Sequence, residues 1–176
     1  MTFLKAEIPG AYVIETDRHE DDRGFFGRSF CRDEFQQHGI PFEIVQSGIS
    51  FNRRKGTVRG MHFQVAPKEE PKLIRCTRGA LHDVLVDLRR DSPTYCRSFS
   101  FQLTAENRLA LYAPPGVAHG FQTLEDETEI FYELGQTYAP DLARGFRWND
   151  PAFAIRFPLP ITVISEQDLS YLDFRP

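Results

Sequence analysis

The hexapeptide Arg59-Gly60-Met61-His62-Phe63-Gln64 sets a permanent cation, a glycine and an imidazole side by side in a strand-like setting. Histidine titrates closer to neutrality than any other side chain, so His62 beside Arg59 is suited to carrying protons for an anionic substrate. Its structural alternative is a strand histidine with a satisfied ring. Three more residues raise the same question. Lys72 begins an apolar run over residues 72–77 in which Lys72, Ile74 and Cys76 share one face. An ammonium there is costly unless it is paired or snorkels to water from the first position. In residues 128–135, Ile130, Tyr132 and Leu134 share one side and Glu129, Phe131 and Glu133 the other. The Ile130 and Leu134 flanks point Tyr132 inward, while Phe131 argues for the opposite assignment. Asp168 closes Ser165-Glu166-Gln167-Asp168, the spacing of a capping box, which by itself gives it a structural role.

The 176 residues suffice for one sizeable core, and residues 1–176 read as a single domain without repeat or linker. With 21 Lys and Arg against 25 Asp and Glu, the chain lacks the basic excess of a nucleic-acid binder. Its arginines still cluster, at Arg53-Arg54-Lys55, at Arg59, and at Arg75 and Arg78, which suits a small anion such as a phosphate ester. Sixteen phenylalanines and six tyrosines fit a β-rich core or a stacking surface. Cys31, Cys76 and Cys96 make neither a disulfide framework nor a metal pair, so a cytoplasmic location is expected. Neither a secretory leader nor an apolar run of about 20 residues is visible, so no membrane association is expected.

Turn signals recur at short intervals. Strands are expected over residues 11–14, 24–30, 44–51, 57–64, 72–77, 80–88, 97–103, 109–113, 117–123 and 128–135. A short helix is expected over 33–38, stopped by Gly39 and Pro41, and another turn of helix after Ser165. Residues 148–160 read as an aromatic, proline-rich loop. Many short strands with little helical period imply an all-β sandwich or barrel.

Pro114-Pro115-Gly116-Val117-Ala118-His119 resembles half of the signature of the cupins, which are double-stranded β-helices or jelly rolls. The other half, an H-x-H pair with a glutamate, is missing around His62. His62, His119 and His82 alone make a poor transition-metal set, so the jelly roll is expected and a metal is not.

Over nearly its whole length the chain resembles the dTDP-4-dehydrorhamnose 3,5-epimerase family. The likeness is carried by Asp22-Arg23-Gly24, by Lys55 through Gln64, by Lys72-Leu73-Ile74-Arg75-Cys76 and by Asp83 through Arg89. It continues with Ser92-Pro93-Thr94, Leu103 through Asn107, Pro115 through Phe121, Tyr132, Tyr138-Ala139-Pro140, Trp148 through Pro151 and Ser165 through Asp168. The resemblance implies a cupin jelly-roll homodimer with a few short peripheral helices, no cofactor, and a nucleotide-linked 4-keto-6-deoxy hexose as substrate. It implies His62 as base, Asp168 as its orienting partner, Tyr132 as acid and Lys72 as the cation at the C4 oxygen. Arg23, Arg59 and His119 correspond to positions that bind diphosphate and sugar, Gln46 to a polar contact with the nucleotide, and Tyr138 to an aromatic that stacks on the base.

Four departures fall at positions that face substrate in the family. Arg28 stands where a glutamate is usual, so that contact changes sign, Gln167 replaces a lysine, Ala143 replaces a glutamate, and Ser47-Gly48 replaces a more polar pair. The proton chemistry is therefore expected to be kept and the substrate to be open to change. The alternatives are a mono-epimerase or 3,4-ketoisomerase on another nucleotide-linked keto sugar, and a sugar-nucleotide-binding cupin without turnover.

Overall fold

A computed structural model describes residues 1–175. In chain order the strands are β1 (Thr2–Lys5), β2 (Tyr12–Glu15), β3 (Arg18–Asp21), β4 (Gly24–Gly27), β5 (Gln46–Asn52), β6 (Val58–Gln64), β7 (Lys72–Arg78), β8 (Ala80–Asp87), β9 (Ser98–Thr104), β10 (Ala110–Ala113), β11 (Val117–Thr123), β12 (Thr128–Leu134) and β13 (Ala143–Gly145). Among the described residues two short α-helices accompany them, α1 (Arg32–Gln37) and α2 (Glu166–Ser170), with a 3-10 turn at Pro140–Leu142. A six-stranded sheet, β1-β2-β10-β7-β12-β5, stacks on a five-stranded sheet, β13-β6-β11-β8-β9, and β3 and β4 form a separate hairpin. This is the all-β jelly roll expected from the sequence.

The expected strands differ from the observed ones mainly at their ends. β1, β3 and β13 carry no alternation that would announce them. β3 is Arg-His-Glu-Asp and wholly exposed, and β13 is the tripeptide Ala-Arg-Gly, which exists through its pairing with β6. The strand expected over 24–30 stops at Gly27, because Phe30 turns away to pack on Phe35 of α1 and on Phe42.

Alternation sends one face of each sheet inward. Ile74 and Cys76 of β7 and Ile130 of β12 meet Leu81 and Leu85 of β8, Leu103 of β9 and Phe121 of β11 between the sheets. The outer face of the six-stranded sheet packs Leu73 and Tyr112 against Phe35 and Phe42. The outer face of the five-stranded sheet packs Met61, Val84 and Val86 against Phe146 and Phe153. Since Met61 faces outward, its neighbour His62 lies on the opposite side of β6. Gly60 permits the close approach of β6 and β11. A Cβ there would meet the Gly120 Cα at 2.6 Å, and its φ of +116° is one that side chains rarely adopt.

A buried carboxylate ties down the end of β8. Asp87 accepts from Arg89 Nε at 2.9 Å, Ser92 Oγ at 2.6 Å and Thr94 Oγ1 at 2.7 Å. Burial alone would raise its pKa, but these donors outweigh burial and carry it down to about 2. Asp87→Ala leaves a guanidinium and two hydroxyls without their shared acceptor and should cost about 3–5 kcal/mol near neutral pH, read by urea unfolding. Because the folded pKa lies below the unfolded one, the stabilisation is complete above about pH 4 and fades as pH falls towards 2. The gap between wild type and variant should close over that window.

Candidate active site

His62 meets Asp168 across the chain, Nε2 to Oδ1 at 2.6 Å, with Asp168 buried and the His62 side chain 43% exposed. The capping-box reading of Asp168 is half right. Ser165 Oγ accepts from the Asp168 N–H at 3.0 Å, as an N-cap should. The Asp168 carboxylate is turned mainly towards β6 rather than back along its own turn. It accepts from the Gly60 N–H at 3.3 Å and holds the imidazole. Burial would raise the Asp168 pKa, but the His62 hydrogen bond and charge and the Gly60 N–H together hold it below the ordinary carboxylate value. An ionised carboxylate on Nε2 fixes the tautomer and supports an imidazolium, leaving Nδ1 to exchange a proton.

The opposite sheet supplies Tyr132 and Lys72. Cross-strand register pairs Leu134 with Lys72 and Tyr132 with Ile74, so the phenol and the ammonium are diagonal neighbours on the inner face. Tyr132 therefore points inward, as its flanks predict. Lys72 does not snorkel to water. It is 7% exposed, with Nζ 3.4 Å from Glu70 Oε2 and 3.5 Å from the His62 carbonyl oxygen. Burial, the Asp83 charge and, in opposition, Arg59 leave the Tyr132 phenol well above its ordinary pKa.

His62, Tyr132, Lys72, Arg59 and His119 line one cavity of about 290 Å³. His119 lies opposite His62 in the β6–β11 register and is nearly fully buried. Its Nε2 meets Asp83 Oδ1 at 2.5 Å, and its ring stands edge-on to Tyr132 at 5.8 Å. Arg59 donates from Nε to Asn52 Oδ1 at 2.8 Å, which aims the rest of the guanidinium. A second cavity of about 430 Å³ shares His62, Lys72, Glu70 and Leu134 with the first, and adds Gln46, Tyr138, Arg144 and Tyr171. Tyr138 is 63% exposed, an open ring face for stacking. Gln46 Oε1 accepts from the Tyr138 N–H at 2.6 Å, so this glutamine also positions that aromatic. Among the described residues no group of three or more His, Cys, Asp or Glu side chains converges as a metal site would require, and no helix is long and apolar enough to cross a membrane.

A family model described as dTDP-4-dehydrorhamnose 3,5-epimerase matches residues 5–175. The chain belongs to the dTDP-4-dehydrorhamnose 3,5-epimerase family. A relative of that name from Sinorhizobium fredii is 42% identical over 97% of this chain and 88% of its own length. The crystal structure of the epimerase of that name from Bacillus anthracis, with TDP and PPi bound, superposes with a TM-score of 0.95 at 36% identity, covering 98% of this chain and 99% of that one. ChmJ, a 3'-monoepimerase from Streptomyces bikiniensis solved with dTDP-quinovose, matches with a TM-score of 0.87 at 30% identity over 96% of this chain and 85% of its own.

Three of the four places where the resemblance implies a departure, Ser47, Ala143 and Gln167, line the larger cavity of this epimerase-family chain together. Arg28 does not join them. It pairs with Glu34 at 3.3 Å, and Arg23 pairs with Asp21 at the tip of the β3–β4 hairpin with its side chain 90% exposed. Neither reaches either cavity of its own chain. The sequence reading passed over Tyr171, Glu70 and Arg144. Tyr171 could have been found by its offset of three from Asp168, which puts both on one side of a helical turn. Its ring lies over Gly145, where a Cβ would meet it at 2.4 Å, and stands 6.0 Å from the His62 ring.

Proposed function

We propose that this chain is an epimerase that inverts C3, C5 or both in a dTDP-linked 4-keto-6-deoxy hexose, serving deoxysugar synthesis. The observation that carries the reading is the division of labour across one cavity: an imidazole with its carboxylate on one sheet, a phenol and an ammonium on the other. The C4 ketone acidifies the protons on both neighbouring carbons. His62 removes one, and the electron pair moves onto the C4 oxygen. Lys72 holds that enolate oxygen, and Tyr132 returns a proton to the carbon from the opposite face. The base and the phenolate then recover their starting protonation from solvent before the second centre reacts.

Arg59 and His119 hold the diphosphate and sugar in this reading, while Tyr138 stacks on the base beside Gln46. Residues 1–176 act as one domain in the cytoplasm. The working form is a homodimer. It is supported by the β5 edge, unpaired among the described residues, which bears exposed Ile49 and Phe51 with Val45 just before it, and by the 72% exposed Phe26 on the hairpin. Arg23 and Arg28, carried on or beside that hairpin, would then bind substrate in the second copy's cavity.

Incubation with dTDP-4-keto-6-deoxyglucose should give a sugar whose C2–H/C3–H coupling constant in proton NMR reports inversion at C3 and whose C5–H through-space contacts report inversion at C5. Folded protein that leaves this sugar and a panel of related nucleotide sugars unchanged would contradict the proposal.

A further inference from the structure

Glu70 is the one carboxylate that lines either cavity among the described residues, and it lines both. Glu70 and Lys72 flank Pro71 at the start of β7, and in extended chain residues two apart face the same way. Their side chains are each 9% exposed and their charges lie 3.4 Å apart. Around them stand the cations Arg59 and Arg144. A carboxylate in a cleft that must attract a diphosphate works against anion binding, so its presence there calls for a partner that donates hydrogen bonds.

Given the epimerase reading, on which this inference rests, the ligand's own chemistry supplies the partner. Lys72 meets the C4 oxygen, and Glu70 sits beside Lys72. Of the two carbons flanking C4, C5 bears a methyl group and the ring oxygen, and only C3 bears a donor, its hydroxyl. We propose that Glu70 is a specificity-determining residue that accepts a hydrogen bond from the C3 hydroxyl, so that the site selects sugars that keep oxygen at C3 and fixes which ring edge faces Lys72. A desolvated acceptor left empty penalises an analogue that lacks the donor, which is how buried polar groups discriminate.

Hydrogen-to-deuterium exchange at C5 tests this, because C5 is present whether or not C3 is hydroxylated. The parent dTDP-4-keto-6-deoxy hexose and its 3-deoxy analogue are compared in wild type, Glu70→Ala and Glu70→Gln. Wild type should exchange the parent with a kcat/KM about ten- to a hundredfold above the analogue. In Glu70→Ala the preference for the parent over the analogue should shrink to within about threefold, because the parent loses its acceptor and the analogue no longer leaves one empty, with Glu70→Gln between. A role confined to orienting Lys72 would lower both sugars by the same factor in both variants, and that result overturns the assignment. Absence of exchange on the parent by wild type would instead remove the epimerase reading and this assignment with it. Glu70→Gln keeps the side chain's volume, so the comparison stands even where Glu70→Ala loses the fold.

Discussion

His62→Asn should lower solvent exchange at both C3 and C5 by about a thousandfold while changing nucleotide-sugar affinity little, within the range that removal of a general base produces. The reason lies in how little else His62 does. Its side chain is 43% exposed and its one strong contact is the 2.6 Å bond to Asp168, so it contributes chemistry more than packing. Asparagine keeps a polar donor for Asp168, whose buried carboxylate would otherwise lose its shortest hydrogen bond. Single-turnover exchange and equilibrium binding of the same sugar separate the two effects. Full-rate exchange in the variant would remove His62 as the base.

Tyr132→Phe should separate two events that coincide in wild type. Deuterium uptake at the carbon should persist within several-fold, because His62 still abstracts and returns protons on its own face. Completed inversion should fall about a hundred- to a thousandfold, since the opposite face has lost its donor. The wild-type phenol is held protonated well above its ordinary pKa of about 10, mainly by burial and then by the Asp83 charge. The proposed acid therefore stays protonated and neutral throughout the neutral and mildly alkaline range, and loss of inversion below about pH 10 should not trace to Tyr132. Equal loss of exchange and inversion in the variant would contradict its assignment as the far-face donor.

How far the sequence carries depends on what kind of signal a residue leaves. β7, β11 and β12 were legible because one face is apolar and turns bracket them, and alternation then turned Tyr132 and Lys72 inward. β3 and β13 were not, since a wholly polar tetrapeptide and Ala-Arg-Gly have no pattern of their own. Local spacing assigned Asp168 to a cap, which half of its backbone geometry honours. Its bond to His62 joins residues 106 positions apart, and only the family resemblance anticipated it. Glu70 was hidden in a charged loop that reads as solvated, because its burial is conferred by the cavity wall rather than by its neighbours. Arg23 shows the converse: its motif resembles the family, yet the folded chain keeps it, like Arg28, away from the two cavities around His62.

In the proposed reaction His62 and Tyr132 move protons on opposite faces of a keto sugar whose C4 oxygen rests on Lys72. The most direct test is proton NMR in deuterated water of dTDP-4-keto-6-deoxyglucose with wild type and His62→Asn side by side. Deuterium is expected at C3, C5 or both with wild type and none on the same timescale with the variant. Uptake by both proteins at equal rates, or by neither across a panel of nucleotide-linked keto sugars, would contradict it.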